Sequence, residues 1–332
     1  MSDRGSGIVA IASYLPEQRL TALEMCERAG VAPNALDRLY GLEEKRVAGP
    51  DEHPSELGLR VARQALEQTN TRAEELALII FCNASGIFDY RAWSPATRLQ
   101  HELGAVNAFA YEVLNGCNGV NLALQQAAMF LATRQVGTCA LVVSAERSAA
   151  SLDYTDARGL GIFHLGDGAA AALVRRGHPR ARLGAYASVT EGRLHDFMCV
   201  PDGGTRQPRV ATGEGGLKVG DPLRVQRELG PRFISRYRDV IVEAIDQSGS
   251  ALPALRWLCV NQTKRDLQAA LLDALTLPRE RLVVTMAKWG HVGACDTLLG
   301  LERVLEQLEP GEVTVLASAA AGFTWGAQAV LG

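Results

Sequence analysis

The chain has no Cys-x-x-Cys pair. Its seven cysteines, Cys26, Cys82, Cys117, Cys139, Cys199, Cys259 and Cys295, are odd in number and scattered, so neither a disulfide framework nor a metal site is expected and a reducing cytoplasm fits best. There is also no apolar run near the roughly 20 residues that a membrane helix needs. Asp3 and Arg4 precede only a short apolar run that ends at Pro16, so a soluble, unprocessed protein without membrane association is the expectation. Charge of one sign is scarce: the net charge is −3 over 332 residues. The basic clusters, Arg175, Arg176, Arg180 and Arg182 in one place and Lys264 with Arg265 in another, are short and mixed with apolar residues. That balance argues against nucleic-acid binding and leaves room for a local contact with an acidic partner.

The composition that is present, 47% hydrophobic and 21% charged, is that of a globular chain long enough for two core-bearing halves. Two strings carry the chemistry. NGCNGV around Cys117 and WGHVGA around His291 each set a reactive side chain between glycines ahead of an apolar helical run. A helix start rich in free N–H groups favours a thiolate, and flanking glycines let substrate approach the backbone, so the pair reads as nucleophilic catalysis by cysteine.

The chain also repeats itself. Helical patterns at Ser55 to Gln68 and Gly119 to Ala132 lead to the apolar runs ALIIFCNAS and CALVVSAE; Arg236 to Gln247 and Cys295 to Leu308 lead to RWLCVNQTK and EVTVLASAA. Each half closes on a glycine-rich return, HLGDGAAAALV and AGFTWGAQAVL. Helices alternating with short continuous apolar runs call for sheets covered on both faces, so the fold class is layered α/β with two similar halves. Residues 1–178 form the half that carries the cysteine and residues 179–332 the half that carries the asparagine and histidine. The polar stretch from His195 to Asp221 reads as a long loop that covers a substrate entrance or makes a surface excursion.

With these pieces placed, the chain resembles the thiolase superfamily, and within it the β-ketoacyl-acyl-carrier-protein synthase III branch. The resemblance spans nearly the whole length and rests on IVAIASYLPEQRLT, LNGCNGVNLAL, HLGDGAAAALV and AGFTWG. It implies a five-layered αβαβα thiolase fold with two pseudo-symmetric halves, a homodimer, no bound cofactor or metal, and an acyl group carried from a thioester onto Cys117. The branch usually has histidine in a P-H-Q-A-N string and asparagine in a later G-N-T string. Here the strings are VNQTK and GHVGA, so Asn261 stands first and His291 second, an order that resembles the true thiolases. The second thiolase cysteine has no counterpart in SAAAGFTWG, so Claisen condensation on an unactivated thioester lacks its proton acceptor.

The resemblance then implies that His291 activates the thiol and afterwards a hydroxyl, amine or activated carbon acceptor, with Asn261 in an oxyanion role; the alternative for Asn261 is a cap on the helix near Thr263. Backbone N–H groups at Cys117 and Ala321 complete the oxyanion site. Asp296 reads as a first-turn acid that favours the helix dipole, outside any triad. His164 reads as structural, and His195 with Asp196 as an alternative base. Family position sets Arg158 at the tunnel mouth and Trp93 at the dimer interface beside a partner's acyl pocket. The early tryptophan and arginine that grip coenzyme A are replaced by Ala35 and Leu39, which favours an acyl carrier protein as donor, met by Lys264 and Arg265, over free coenzyme A. The expected function is a cytoplasmic acyltransferase of secondary metabolism, polyketide biosynthesis included, that moves a short acyl group, malonyl included, to a small-molecule acceptor. The alternatives are a carbon–carbon condensing synthase, decarboxylative or Claisen-type, and a non-catalytic partner subunit.

Overall fold

The computed structural model describes residues 5–208 and 216–332. Ten strands make its sheet: β1 (Ser6–Tyr14), β2 (Leu76–Cys82), β3 (Phe109–Val113), β4 (Cys139–Arg147), β5 (Asp167–Arg176), β6 (Arg182–Thr190), β7 (Leu255–Val260), β8 (Leu282–Val283), β9 (Val313–Ala320) and β10 (Thr324–Leu331). Their order is β8-β7-β9-β10-β6-β1-β5-β4-β2-β3. In the first half β3, β2 and β4 run parallel, and β5 is antiparallel to both β4 and β1. The second half repeats this: β8, β7 and β9 are parallel, and β10 is antiparallel to both β9 and β6. The halves meet at β1 and β6, where Gly7 pairs with Arg182.

Parallel neighbours need crossover segments, and helices supply them. The helix Pro95–Leu103 joins β2 to β3, α2 (Gly119–Ala132) leads into β4, α4 (Arg265–Leu275) joins β7 to β8 and α5 (Asp296–Val304) leads into β9, while α1 (Pro54–Gln68) and α3 (Gly230–Gln247) precede β2 and β7. β2, LALIIFC, shows why both faces must be covered. Leu78, Ile80 and Cys82 enter the core that α2 and α5 share with both halves of the sheet, whereas Ile79 and Phe81 enter an outer core with Leu57, Val61 and Ala65 of α1. A strand alternates its side chains between faces, so two apolar faces read as one uninterrupted run. On the far side, Tyr237, Ile241 and Ala244 of α3 pack on Leu258, Val315 and Trp325. The result is the expected five-layered αβαβα thiolase fold, with α2 and α5 buried at its centre. The nucleophile string opens α2 and the histidine string opens α5, so the central layer brings the two strings together.

Of the long loop, Met198–Cys199 pairs with Lys218–Val219, and the helix Pro222–Glu228 follows its end. Residues 209–215 lie outside the described residues, and with them part of the segment expected to cover an entrance.

Candidate active site

Cys117 sits two residues before α2, and Gly116 carries the turn with φ +53. A methyl at Gly116 would stand 2.8 Å from Cβ of Ala320, so glycine lets the nucleophile turn press against the end of β9. Sγ of Cys117 lies 3.2 Å from Nε2 of His291. The other ring nitrogen, Nδ1, contacts the Asp296 carboxylate. The same carboxylate accepts from the N–H of Gln262 at 2.6 Å and of Val292 at 2.8 Å.

Asp296 is therefore the orienting partner of His291, which corrects its reading as a helix-dipole residue. Five residues apart on one helix would not face each other, but His291 precedes the helix. A tight turn at Gly293–Cys295 folds the imidazole back over the first helical residue. Burial alone would strip the proton from His291, yet the Asp296 carboxylate and the Cys117 sulfur on either side outweigh it and raise its pKa well above the ordinary imidazole value. Cysteine, imidazole and buried carboxylate stand in the order that a nucleophile–base–orienter relay requires.

Asn261 is buried at the end of β7 but makes no hydrogen bond to Cys117 or His291 among the described residues. Its Oδ1 accepts from Tyr237 Oη at 2.8 Å and from the N–H of Ala319 at 3.0 Å, and its Nδ2 donates to the carbonyl of Ala319 at 3.3 Å. It does not cap α4 either, which begins at Arg265 after an N-cap Lys264 with no side-chain cap. Its amide fastens β9, the strand that ends beside Gly116. Ala321 follows in the exposed turn between β9 and β10.

The other residues singled out lie further out. Trp93 is half-buried and edge-on to Tyr90, with ring centroids 5.6 Å apart. Arg158 is exposed and paired with Asp156 at 2.8 Å. His195 and Asp196 are exposed, and Asp196 pairs with Arg224 at 2.8 Å. Arg265 pairs with Asp37 at 3.4 Å on the helix that also holds Ala35 and Leu39. Of the cysteines other than Cys117, Cys199 is exposed and the remaining five are buried. No group of His, Cys, Asp and Glu suited to a metal occurs among the described residues.

One buried group, Glu146, escaped the sequence reading, and another, His164, was read only as structural. Glu146, at the end of β4, accepts from the N–H of Ala84 at 2.7 Å and of Ala294 at 3.1 Å, and burial pushes its pKa up to about 8. It ties the histidine turn to β4. Its signal was one acid at the end of the run CALVVSAE. His164, treated below, stacks on His291.

Fold and site now define a class: a thiolase-fold protein with a cysteine, paired with a histidine, at the start of its central helix. The family models for 3-oxoacyl-[acyl-carrier-protein] synthase III and for its C-terminal domain match residues 111–192 and 245–331. The chain belongs to the β-ketoacyl-acyl-carrier-protein synthase III-like family. It is 26% identical to the β-ketoacyl-[acyl-carrier-protein] synthase III of Thermosynechococcus vestitus over 333 residues, 98% of each chain. The crystal structure of the 3-oxoacyl-[acyl-carrier-protein] synthase III of Aquifex aeolicus superposes with a TM-score of 0.84 at 22% identity, covering 99% of this chain and 100% of that one. The priming β-ketosynthase of the R1128 polyketide biosynthetic pathway gives a TM-score of 0.84 at 23% identity, covering 99% and 96%. No described helix is long and apolar enough to cross a membrane.

Proposed function

We propose that this protein is a synthase III-like acyltransferase that loads a short acyl group from a carrier-protein or coenzyme A thioester onto Cys117 and transfers it to a hydroxyl, amine or activated carbon. The observation that carries this reading is the relay Cys117–His291–Asp296 together with the diversion of Asn261 to Tyr237 and Ala319. In loading, the sulfur attacks the thioester carbonyl as its proton passes to Nε2 of His291, and the carrier thiol leaves with that proton. In transfer, the acceptor gives its proton to the same nitrogen and attacks the acyl carbon, and Cys117 is released. Asp296 holds the imidazole in the required tautomer and stabilises the imidazolium in both steps. Backbone N–H groups at Cys117 and Ala321 take the oxyanion, each contributing on the order of 3 kcal/mol. A carbon nucleophile made by decarboxylation needs donors on the thioester oxygen, and Asn261 has its oxygen and one N–H engaged elsewhere.

A place in secondary metabolism is favoured by the likeness to a polyketide priming synthase, and a homodimer by the exposed edge of β3. The second reading, a condensing synthase, is favoured by the names of the relatives. Intact-protein mass spectrometry with malonyl and acetyl thioesters, without acceptor, tests between them. We expect an intact acyl adduct that is lost in Cys117→Ala; malonyl thioester consumed with CO2 release and only an acetyl adduct would favour condensation. No adduct with any thioester would favour a non-catalytic partner subunit.

A further inference from the structure

His164 is more than nine-tenths buried beside the catalytic pair, and its Nδ1 is sealed without a hydrogen-bond partner among the described residues. The ring is the middle plate of a column: Tyr40 lies 4.1 Å away at 15°, and His291 lies 5.7 Å away at 14°, between ring centroids. Its backbone carbonyl accepts from the N–H of His291 at 2.8 Å, so the two residues are locked side by side. As a packing plate a phenylalanine would serve equally well, without the cost of sealing in an unpartnered polar edge. Burial and then the positive charges of His291, Lys45 and Lys264 hold His164 well below the usual imidazole pKa, so it is neutral. One ring nitrogen then carries hydrogen and the other a lone pair. Nδ1 is the sealed, unpartnered one, and a buried bare lone pair is tolerated better than a buried bare N–H. This assigns the hydrogen to Nε2 and leaves one N–H donor with no protein acceptor among the described residues.

Resting on the acyl-enzyme reading above, we propose that His164 donates this N–H to the terminal carboxylate of a β-carboxyacyl group of the malonyl type on Cys117. A carboxylate three carbons from Sγ reaches a ring stacked one imidazole away from the base that touches Sγ. Decarboxylation moves the electron pair of the bond to the carboxyl carbon into the thioester oxygen and releases CO2, so negative charge leaves the carboxylate as the barrier is climbed. A donor on the carboxylate stabilises the starting state more than the transition state and slows that loss. His164 thus selects the acyl class and keeps its carboxylate for transfer.

The test uses malonyl-CoA and acetyl-CoA with wild type, His164→Phe, which keeps the stack, and His164→Gln, which keeps a donor. Cys117 adducts are followed by intact mass spectrometry, released CO2 is measured, and iodoacetamide labelling mapped to Cys117 reports an intact relay. We expect His164→Phe to lower malonyl loading at least tenfold relative to acetyl loading and to raise the CO2 released per malonyl group loaded, with labelling unchanged and partial rescue in His164→Gln. Should the phenylalanine protein not fold, His164→Leu gives the same comparison. Equal losses for both acyl groups, or no change in malonyl loading and CO2 release, overturn the assignment to the carboxylate. A wild type that takes acetyl but shows no discrimination through His164 sinks this inference alone, whereas a wild type that takes no acyl group sinks the acyl-enzyme reading as well.

Discussion

At the scale of single residues, the site depends on two buried acidic side chains, Asp296 against His291 and Glu146 against the turn that follows it. Asp296 keeps His291 protonated to higher pH than a free imidazole, and acceptor deprotonation needs the neutral ring. The rate of acyl transfer is therefore expected to rise with pH through a midpoint above about 6.5. In Asp296→Asn that midpoint moves down and the plateau falls by on the order of 10³-fold, as a pH–rate profile will read; an unmoved midpoint would remove Asp296 from the relay. The linkage to stability has a definite sign. A raised histidine pKa contributes stability that is full below about pH 6.5 and lost as pH climbs through the folded value, so the stability gap between wild type and Asp296→Asn should narrow in alkali. Glu146 is the converse case, a carboxyl held neutral by burial. Its contribution is full below about pH 4.3 and is lost as pH rises through about 8. Glu146→Gln keeps an acceptor for Ala84 and Ala294, so relative to wild type it should gain stability, on the order of a few kcal/mol, between pH 5 and 9 in urea titrations. A constant difference across that range would mean Glu146 is ionised throughout.

At the scale of elements, the decisive piece is the turn that leads from His291 into α5. Gly293 has φ +53, and a methyl there would lie 2.5 Å from the carboxyl carbon of Glu146. Gly293→Ala is expected to cost at least about 2 kcal/mol from the left-handed backbone and the clash together, and to lower acyl transfer through a displaced His291. Thermal melts and the loading rate check both, and a variant with wild-type loading would show that the turn tolerates the shift. The preceding segment is fastened separately. Nζ of the buried Lys45 donates to the carbonyls of Phe163 at 2.8 Å and Leu165 at 2.6 Å and to Tyr154 Oη at 2.8 Å. Those bonds set the two carbonyls on either side of His164, the residue whose own carbonyl holds the N–H of His291. The helices and apolar strands were legible from periodicity because burial on both faces writes itself into a contiguous run. This turn was not, because its form depends on Glu146, 147 positions earlier in the chain.

At the scale of the whole molecule, the sheet ends on β3, whose outer edge pairs with no strand among the described residues, and exposed apolar side chains lie on it and next to it. Phe109 is 63% exposed and Leu114 58%. An open edge strand flanked by exposed apolar residues is a template for pairing with another strand, and a second copy of this chain suits it. We expect light scattering to give twice the mass of one chain, and Phe109→Lys combined with Leu114→Lys to shift it toward a monomer at micromolar concentration. A monomeric wild type would discard the homodimer and, with it, a role for Trp93 in a partner's acyl pocket.

By itself the sequence determined the layered α/β architecture and its internal repetition, and singled out Cys117 and His291, which the fold sets 3.2 Å apart, because those features are carried by local patterns: glycine-bracketed strings, helical periodicity and doubly buried strands. Only the tertiary structure decided which acid orients the base, where the Asn261 amide goes, and what surrounds the imidazole of His164. These are outcomes of competition among partners brought together from β4, β7, β9, α3 and the segment before β5. A side chain that lies next to a helix start in sequence becomes a catalytic partner, or only a brace, according to which of those groups reaches it first in space.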